Sequence, residues 1–123
     1  MKTSNTEQWN AVWKHDIDSY DATVVLTSVE EESAGVRCQK ITEYLEKHIG
    51  DLTGKRTIEI GCGGAIYSMI LARVRAHATL LDYSPDALKL AERNFYALNL
   101  ESDSIRADAF NIPSGLLDRF DVA

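Results

Sequence analysis

The chain holds 123 residues, with 13 Lys and Arg against 19 Asp and Glu for a formal charge of −6, which is the size of one globular domain. Its 45% hydrophobic content and two Pro exclude disorder and collagen-like repetition. No apolar run reaches the ~20 residues of a membrane helix, and the polar start MKTSNTEQWN is no secretory signal, so no membrane partner and a cytoplasmic location are expected.

The acidic balance gives no strong nucleic-acid signal. Cys38 and Cys62 alone make neither a disulfide framework nor a zinc spacing.

Residues 1–32 carry no strong period. Trp9, Val12 and Trp13 can share a helix face, with His15 and Asp16 beyond it. The Thr- and Val-rich stretch from Tyr20 to Val29 shows no alternation. It ends in Glu30-Glu31-Glu32, a solvated face or the first turn of a helix.

From Ser33 the pattern sharpens. Ser33 is expected to cap a helix with Val36, Ile41, Leu45 and Ile49 inward, ended by Gly50 in a left-handed conformation. A turn-rich linker over 51–56 leads to the β-branched run Thr57-Ile58-Glu59-Ile60, broken by Gly61-Cys62-Gly63-Gly64. Ala65 to Arg75 reads as a helix and Ala78 to Asp82 as a second buried strand. Ser84-Pro85-Asp86 then gives three helix-start signals together, for a helix running to about Leu98 with Asn99 as its stop. Ser104 to Asp108 reads as a weaker third strand, and Phe120 to Ala123 as a fourth.

Strand and helix alternating in this way predict an α/β fold, a doubly wound and mostly parallel sheet with helices on both faces. No turn or charged tail follows the fourth strand, so the sheet is expected to be incomplete there and the chain a fragment of a longer protein.

A strand ending in closely spaced glycines before a helix lets a ligand approach the backbone and meet free helix N–H groups. Alone, this is as consistent with an ordinary strand-to-helix turn as with a nucleotide-type site. Asp82 adds weight. It ends the second strand at the distance from Gly61 where a carboxylate accepts from both hydroxyls of a ribose. Ile66 is too large for the sixth position of a dinucleotide fingerprint, Glu59 suits a pyrophosphate poorly, and no Lys-Ser/Thr pair follows. An oxidoreductase domain is thereby disfavoured. A nucleoside cofactor bearing ammonium and sulfonium groups fits the acidic rim better.

Four blocks carry a resemblance. Glu59-Ile60-Gly61-Cys62-Gly63-Gly64-Ala65, Leu81-Asp82-Tyr83-Ser84-Pro85, Ala107-Asp108-Ala109-Phe110 and Phe120-Asp121-Val122 resemble, in order and separation, class I S-adenosylmethionine-dependent methyltransferases. The resemblance covers residues 57–123, and the helix from Ser33 resembles the one before the family's first strand. Two positions depart from it. The family commonly has a third Gly where Ala65 stands and a small hydroxyl residue where Gly64 stands.

The resemblance implies the cofactor, S-adenosylmethionine, with S-adenosylhomocysteine as product, and in-line transfer of an activated methyl to an acceptor, expected to be a small molecule. It implies that Gly61, Gly63 and the Cys62 backbone line the methionine part while Glu59 reaches its ammonium. Asp82 would hold the ribose diol and Tyr83 lie on one adenine face. Asp108 would accept from the adenine amino group and the Ala109 N–H donate to the ring. Phe110 either closes the other face or is a core residue under the loop. It also implies that residues 1–32 cap a cofactor-binding domain over 33–123. No catalytic residue is assigned.

His15 is weighed as a substrate-side base against a surface role. Cys62, near a helix N-terminus, is weighed as a lowered thiol against a small side chain tolerated by the turn. His48 and His77 show no metal-ligand spacing. A non-catalytic nucleoside-binding or regulatory module of the same fold is the alternative function. A fourth strand without neighbours would leave an open edge, from which a homodimer is expected.

Overall fold

The structure, a computed structural model, describes residues 5–123. Its elements are α1 (Asn5–Asp18), α2 (Ala22–Ala34), α3 (Val36–Ile49), β1 (Arg56–Ile60), α4 (Ile66–Arg73), β2 (His77–Asp82), α5 (Pro85–Ala97) and β3 (Ser102–Arg106), followed by a short 3-10 turn over Leu117–Arg119. The three strands are parallel and ordered β1-β2-β3.

β2 lies in the middle, and Ala78, Leu80 and Leu81 are wholly buried. That is why it reads as a continuous apolar run instead of an alternating one. α4 packs on β1 and β2, and α5 on β2 and β3. The core between helices and sheet joins Ala78 and Leu80 to Met69, Ile70, Leu88, Ala91 and Phe95, with Val29 of α2 and Cys38 of α3 closing it.

The start of α5 forms as its three signals predict. Ser84 Oγ accepts from the Ala87 N–H at 3.2 Å, and Pro85 opens the helix. Asn99 takes the left-handed conformation at φ 56°.

Three expectations need correction. Ser33 does not cap a helix. It lies inside α2, where its hydroxyl donates back to the Val29 carbonyl at 2.7 Å, a competing local bond open to any helical Ser. The break comes two residues later at Gly35, which precedes α3 in an extended conformation without a side-chain cap.

The third strand spans Ser102–Arg106, not 104–108. Pairing with buried β2 draws the polar Ser102 and Asp103 into the ladder opposite Ala78 and Thr79, and backbone pairing overrides their weak strand preference. The fourth strand is reduced to a single parallel bridge, Val122 to Thr57. There the Ile58 N–H donates to the Val122 carbonyl at 2.9 Å. That places the chain's last residues beside β1, on the side away from β2.

Residues 5–34, where no period is visible, fold into α1 and α2. Asp21 caps α2 by accepting from the Thr23 N–H at 2.9 Å. α1 packs on α5, and α2 on α3, α4 and α5. The link between α2 and α4 includes an Arg73–Glu30 ion pair at 2.8 Å and the Tyr67 hydroxyl donating to Glu32 Oε1 at 2.6 Å. No described helix is long and apolar enough to cross a membrane.

Candidate functional site

All three strands deliver their C-terminal ends to one cavity of about 1070 Å³, as open parallel sheets do. Glu59, Gly61, Cys62, Gly63, Asp82, Tyr83, Asp108, Ala109 and Phe110 all line it.

Two carboxylates on neighbouring strand ends organise the floor. Asp82 Oδ2 accepts from the Gly63 N–H at 3.1 Å and its Oδ1 from the Ser84 N–H at 2.9 Å. One side chain thus holds the glycine loop and the turn into α5 together, and each oxygen keeps a lone pair for a ligand. Glu59 Oε1 accepts from both the Ser68 N–H at 3.2 Å and its hydroxyl at 2.6 Å. Ala65, the N-cap of α4, has no side-chain acceptor, so Glu59 closes the helix's open donors from the adjacent strand. Burial raises the Glu59 carboxyl, and the two Ser68 bonds oppose that rise.

The loop between these carboxylates turns through three left-handed residues: Gly61 (φ 68°), Gly63 (φ 51°) and Ala65 (φ 59°). A Cβ added at Gly61 would meet nothing within 4 Å, so the backbone there is open to a ligand. At Gly63 the added atom would fall 2.9 Å from Trp13 Cη2. Trp13 belongs to α1 and stacks on Trp9 at 5.5 Å between ring centres. The two indoles form one wall of the cavity.

The remaining predicted residues sit around the rim. Tyr83 lies with the Arg106 guanidinium 5.7 Å from its ring centre. Asp108 Oδ1 accepts from the Phe110 N–H at 2.9 Å, shaping the loop after β3. Phe110 is 100% exposed, which removes the core alternative for this residue. Cys62 is no activated thiol. Burial, with the Asp82 and Glu59 charges adding to it, pushes its pKa up to about 12, so the small buried side chain is the correct reading. His15, weighed as a substrate-side base, stands away from the cavity wall. Its side chain is 81% exposed beside Asp16 and it is not among the lining residues.

Sequence reasoning missed a second set. Asp16, Tyr20 and Asp21 reach the cavity from α1 and the turn into α2, and Asn94 from α5. Asn94 Nδ2 donates to the Gly64 carbonyl at 2.9 Å, bracing the loop from the helix side. The Ser84 hydroxyl donates to Asn10 Oδ1 and the Arg93 guanidinium to the Ile17 carbonyl, and these bonds lash α1 across α5. The only sequence signal was the i, i+4 pair of tryptophans.

Among known proteins, residues 58–123 match a family described as methyltransferase domain. A ubiquinone biosynthesis O-methyltransferase of Aromatoleum aromaticum is 32% identical over 80 residues, 65% of this chain and 34% of that protein. Its counterpart in Xylella fastidiosa is 41% identical over 49 residues, 40% of this chain and 20% of that protein. A candidate S-adenosyl-L-methionine-dependent methyltransferase solved from Methanococcus maripaludis shares the fold, with a TM-score of 0.55 at 21% identity, over 92% of this chain and 48% of that one. The chain spans about a third or less of the length of these curated relatives.

Proposed function

The chain belongs to the methyltransferase domain family, and from this premise we propose that its cavity binds S-adenosylmethionine and directs the methyl group to a small-molecule acceptor. One observation carries the reading. The carboxylates of Glu59 and Asp82 flank a left-handed glycine loop at adjacent strand ends inside one cavity. Those residues fit the group. The cavity is of ligand size, Gly61 leaves backbone open, and the floor offers two carboxylate acceptors of the kind an ammonium and a ribose diol take.

When bound, the cofactor supplies a methyl already activated on sulfur. What the chain contributes is position and dryness. The free lone pairs of Asp82 take the two ribose hydroxyls, while its existing bonds to Gly63 and Ser84 hold that carboxylate still. Glu59 presents its second oxygen to the ammonium. Tyr83 and Phe110 offer aromatic faces to the adenine, with Asp108 and the Ala109 N–H at its edge. Trp13 covers the loop at Gly63, with Trp9 stacked on its outer side, and shields that part of the cavity from water. The relatives' names support a hydroxyl-bearing acceptor, and the absence of a described membrane-length helix is compatible with a cytoplasmic enzyme. The same reading includes a homodimer through the exposed sheet edge, which sedimentation equilibrium measures.

Titration calorimetry tests it. S-adenosylhomocysteine is expected to bind and NAD not to bind. Charge-assisted hydrogen bonds are worth roughly 1.5–3 kcal/mol each, so Asp82→Ala should weaken S-adenosylhomocysteine at least tenfold. An unchanged dissociation constant in a folded Asp82→Ala chain overturns the assignment.

A further inference from the structure

Resting on the methyl-transfer reading above, we propose that Asn94 is a positioning residue for cofactor binding. From α5 its amide holds the Gly64–Ala65 peptide in the one orientation that keeps the glycine loop ready for the ligand.

Most of the loop's peptide groups are tied to the loop itself or to the strand beside it. The Gly61 and Cys62 N–H groups both donate to the Leu81 carbonyl, at 2.8 and 3.1 Å, and the Gly63 N–H donates to Asp82. The Ala65 N–H closes back on the Cys62 carbonyl at 2.8 Å. The other end of that peptide, the Gly64 carbonyl, is held from outside the loop, by Asn94 Nδ2 at 2.9 Å. The Gly64–Ala65 peptide is therefore clamped at both ends, and it has reason to turn. Ala65 is left-handed at φ 59°, where an L side chain is strained, and it makes no side-chain cap for α4. Rotating this peptide takes Ala65 out of the strained region. It also carries the backbone of Gly63 and Gly64, both in the cavity lining, off its present course.

The other half of the Asn94 amide shows what the residue is not for. The side chain is 5% exposed and its Oδ1 is buried without a hydrogen-bond partner. The two ends of the amide cannot be exchanged, because only the nitrogen donates to a carbonyl. A buried acceptor left unpaired destabilises a fold, and an apolar side chain of similar outline avoids that cost. Leu also ranks above Asn in helix preference. Asn94 is thus a poor core residue and a good brace, the conflict between stability and function found at working sites. Without the brace only a fraction of chains holds the loop in the binding conformation, and apparent affinity falls by that fraction.

Affinity, local exchange and rescue separate a brace from a packing residue. Titration calorimetry with S-adenosylhomocysteine and amide hydrogen exchange are run on the full chain, on Asn94→Leu and on Asn94→Ala, the second adding no bulk. Each folded variant should bind S-adenosylhomocysteine about fivefold more weakly. Without ligand, the Ala65 amide should exchange faster relative to the Leu80 amide of the central strand than it does in the unsubstituted chain. Rescue comes at the strained residue itself. In an Ala65→Gly background, where the left-handed angle costs nothing, the same Asn94 substitutions should change affinity by less than about twofold. An unchanged dissociation constant in a folded variant, equal rises in exchange at Ala65 and Leu80, or an undiminished loss in the Ala65→Gly background overturns the positioning role. Failure of the unsubstituted chain to bind S-adenosylhomocysteine overturns the methyl-transfer reading instead. The Ala65 exchange, which needs no ligand, then decides by itself whether Asn94 holds the loop.

Discussion

The indole of Trp13 lies so close over Gly63 that a Cβ there would come within 2.9 Å of its ring, and Gly63 is left-handed at φ 51°. Glycine is thus required twice at one position, by backbone conformation and by a neighbour from another helix. Gly63→Ala should lose about 1–2 kcal/mol from the backbone alone and displace the indole, shifting tryptophan emission. Adding Trp13→Ala should recover the steric part and leave the backbone part, read as the difference between urea midpoints.

Glu59 has two duties, and two substitutions separate them. As the acceptor for Ser68 it closes the start of α4, a capping role worth about 1 kcal/mol. Glu59→Gln keeps an acceptor oxygen and should hold stability while weakening S-adenosylhomocysteine. Glu59→Ala should lose both. Chemical denaturation and calorimetry on the same two variants check this.

The pH dependence follows from the same carboxyl. Burial raises it above its ordinary 4.5, so the folded chain holds the proton more firmly than the unfolded chain does. Its stabilising contribution is complete below 4.5 and is lost as pH rises through the raised value. Over that window the ligand-free chain should lose stability relative to Glu59→Gln, while its affinity for S-adenosylhomocysteine increases as the carboxylate forms. Melting temperatures of the two proteins at stepped pH are the measurement.

Cys62, with its thiol pushed up to about 12, carries almost no thiolate at neutral pH, and Cys38 is buried as well. Iodoacetamide at pH 8 should label neither in the folded chain and both in urea, counted by intact-mass spectrometry. Rapid native labelling of Cys62 would contradict the described burial.

Ala65 occupies a left-handed position at φ 59° where glycine would cost nothing. Replacing it with Gly relieves ~1 kcal/mol of strain, but removes a buried methyl worth about 0.8 kcal/mol and loosens the unfolded chain. Ala65→Gly should therefore leave the urea midpoint nearly unchanged, whereas Ala65→Val, β-branched at the same angle, should lower it clearly.

The half from β1 to α5 is legible in the sequence because its signals are local. Thr57 to Ile60 and Ala78 to Asp82 are buried strands with β-branched and apolar runs, and Ser84-Pro85 announces a helix without reference to anything distant. Asp82 is legible because strand ends are where chemistry gathers. The rest depends on contacts between elements far apart in the sequence. α2 fully buries only Val29, so it shows no stripe, and its start is set by Asp21 capping Thr23. Asp16, Tyr20 and Asp21 join the cavity through contacts distant in sequence, where Asn10 meets Ser84 and Ile17 and Tyr20 meet Arg93. Asn94 looks like an ordinary polar helix residue until Gly64 is found against it.

The Val122 bridge sets a clock inside the sheet. The Ile58 amide is closed not by its neighbour in the β1-β2 ladder but by a carbonyl from the last residues of the chain, pinned in turn by the Arg56 N–H on Asp121 Oδ2 at 2.8 Å. Leu80, flanked by strands on both sides, opens only when the sheet comes apart. In heavy water, deuterium should enter Ile58 before Leu80, and the gap between the two rates measures how far the final residues breathe away from β1 while everything else stays folded.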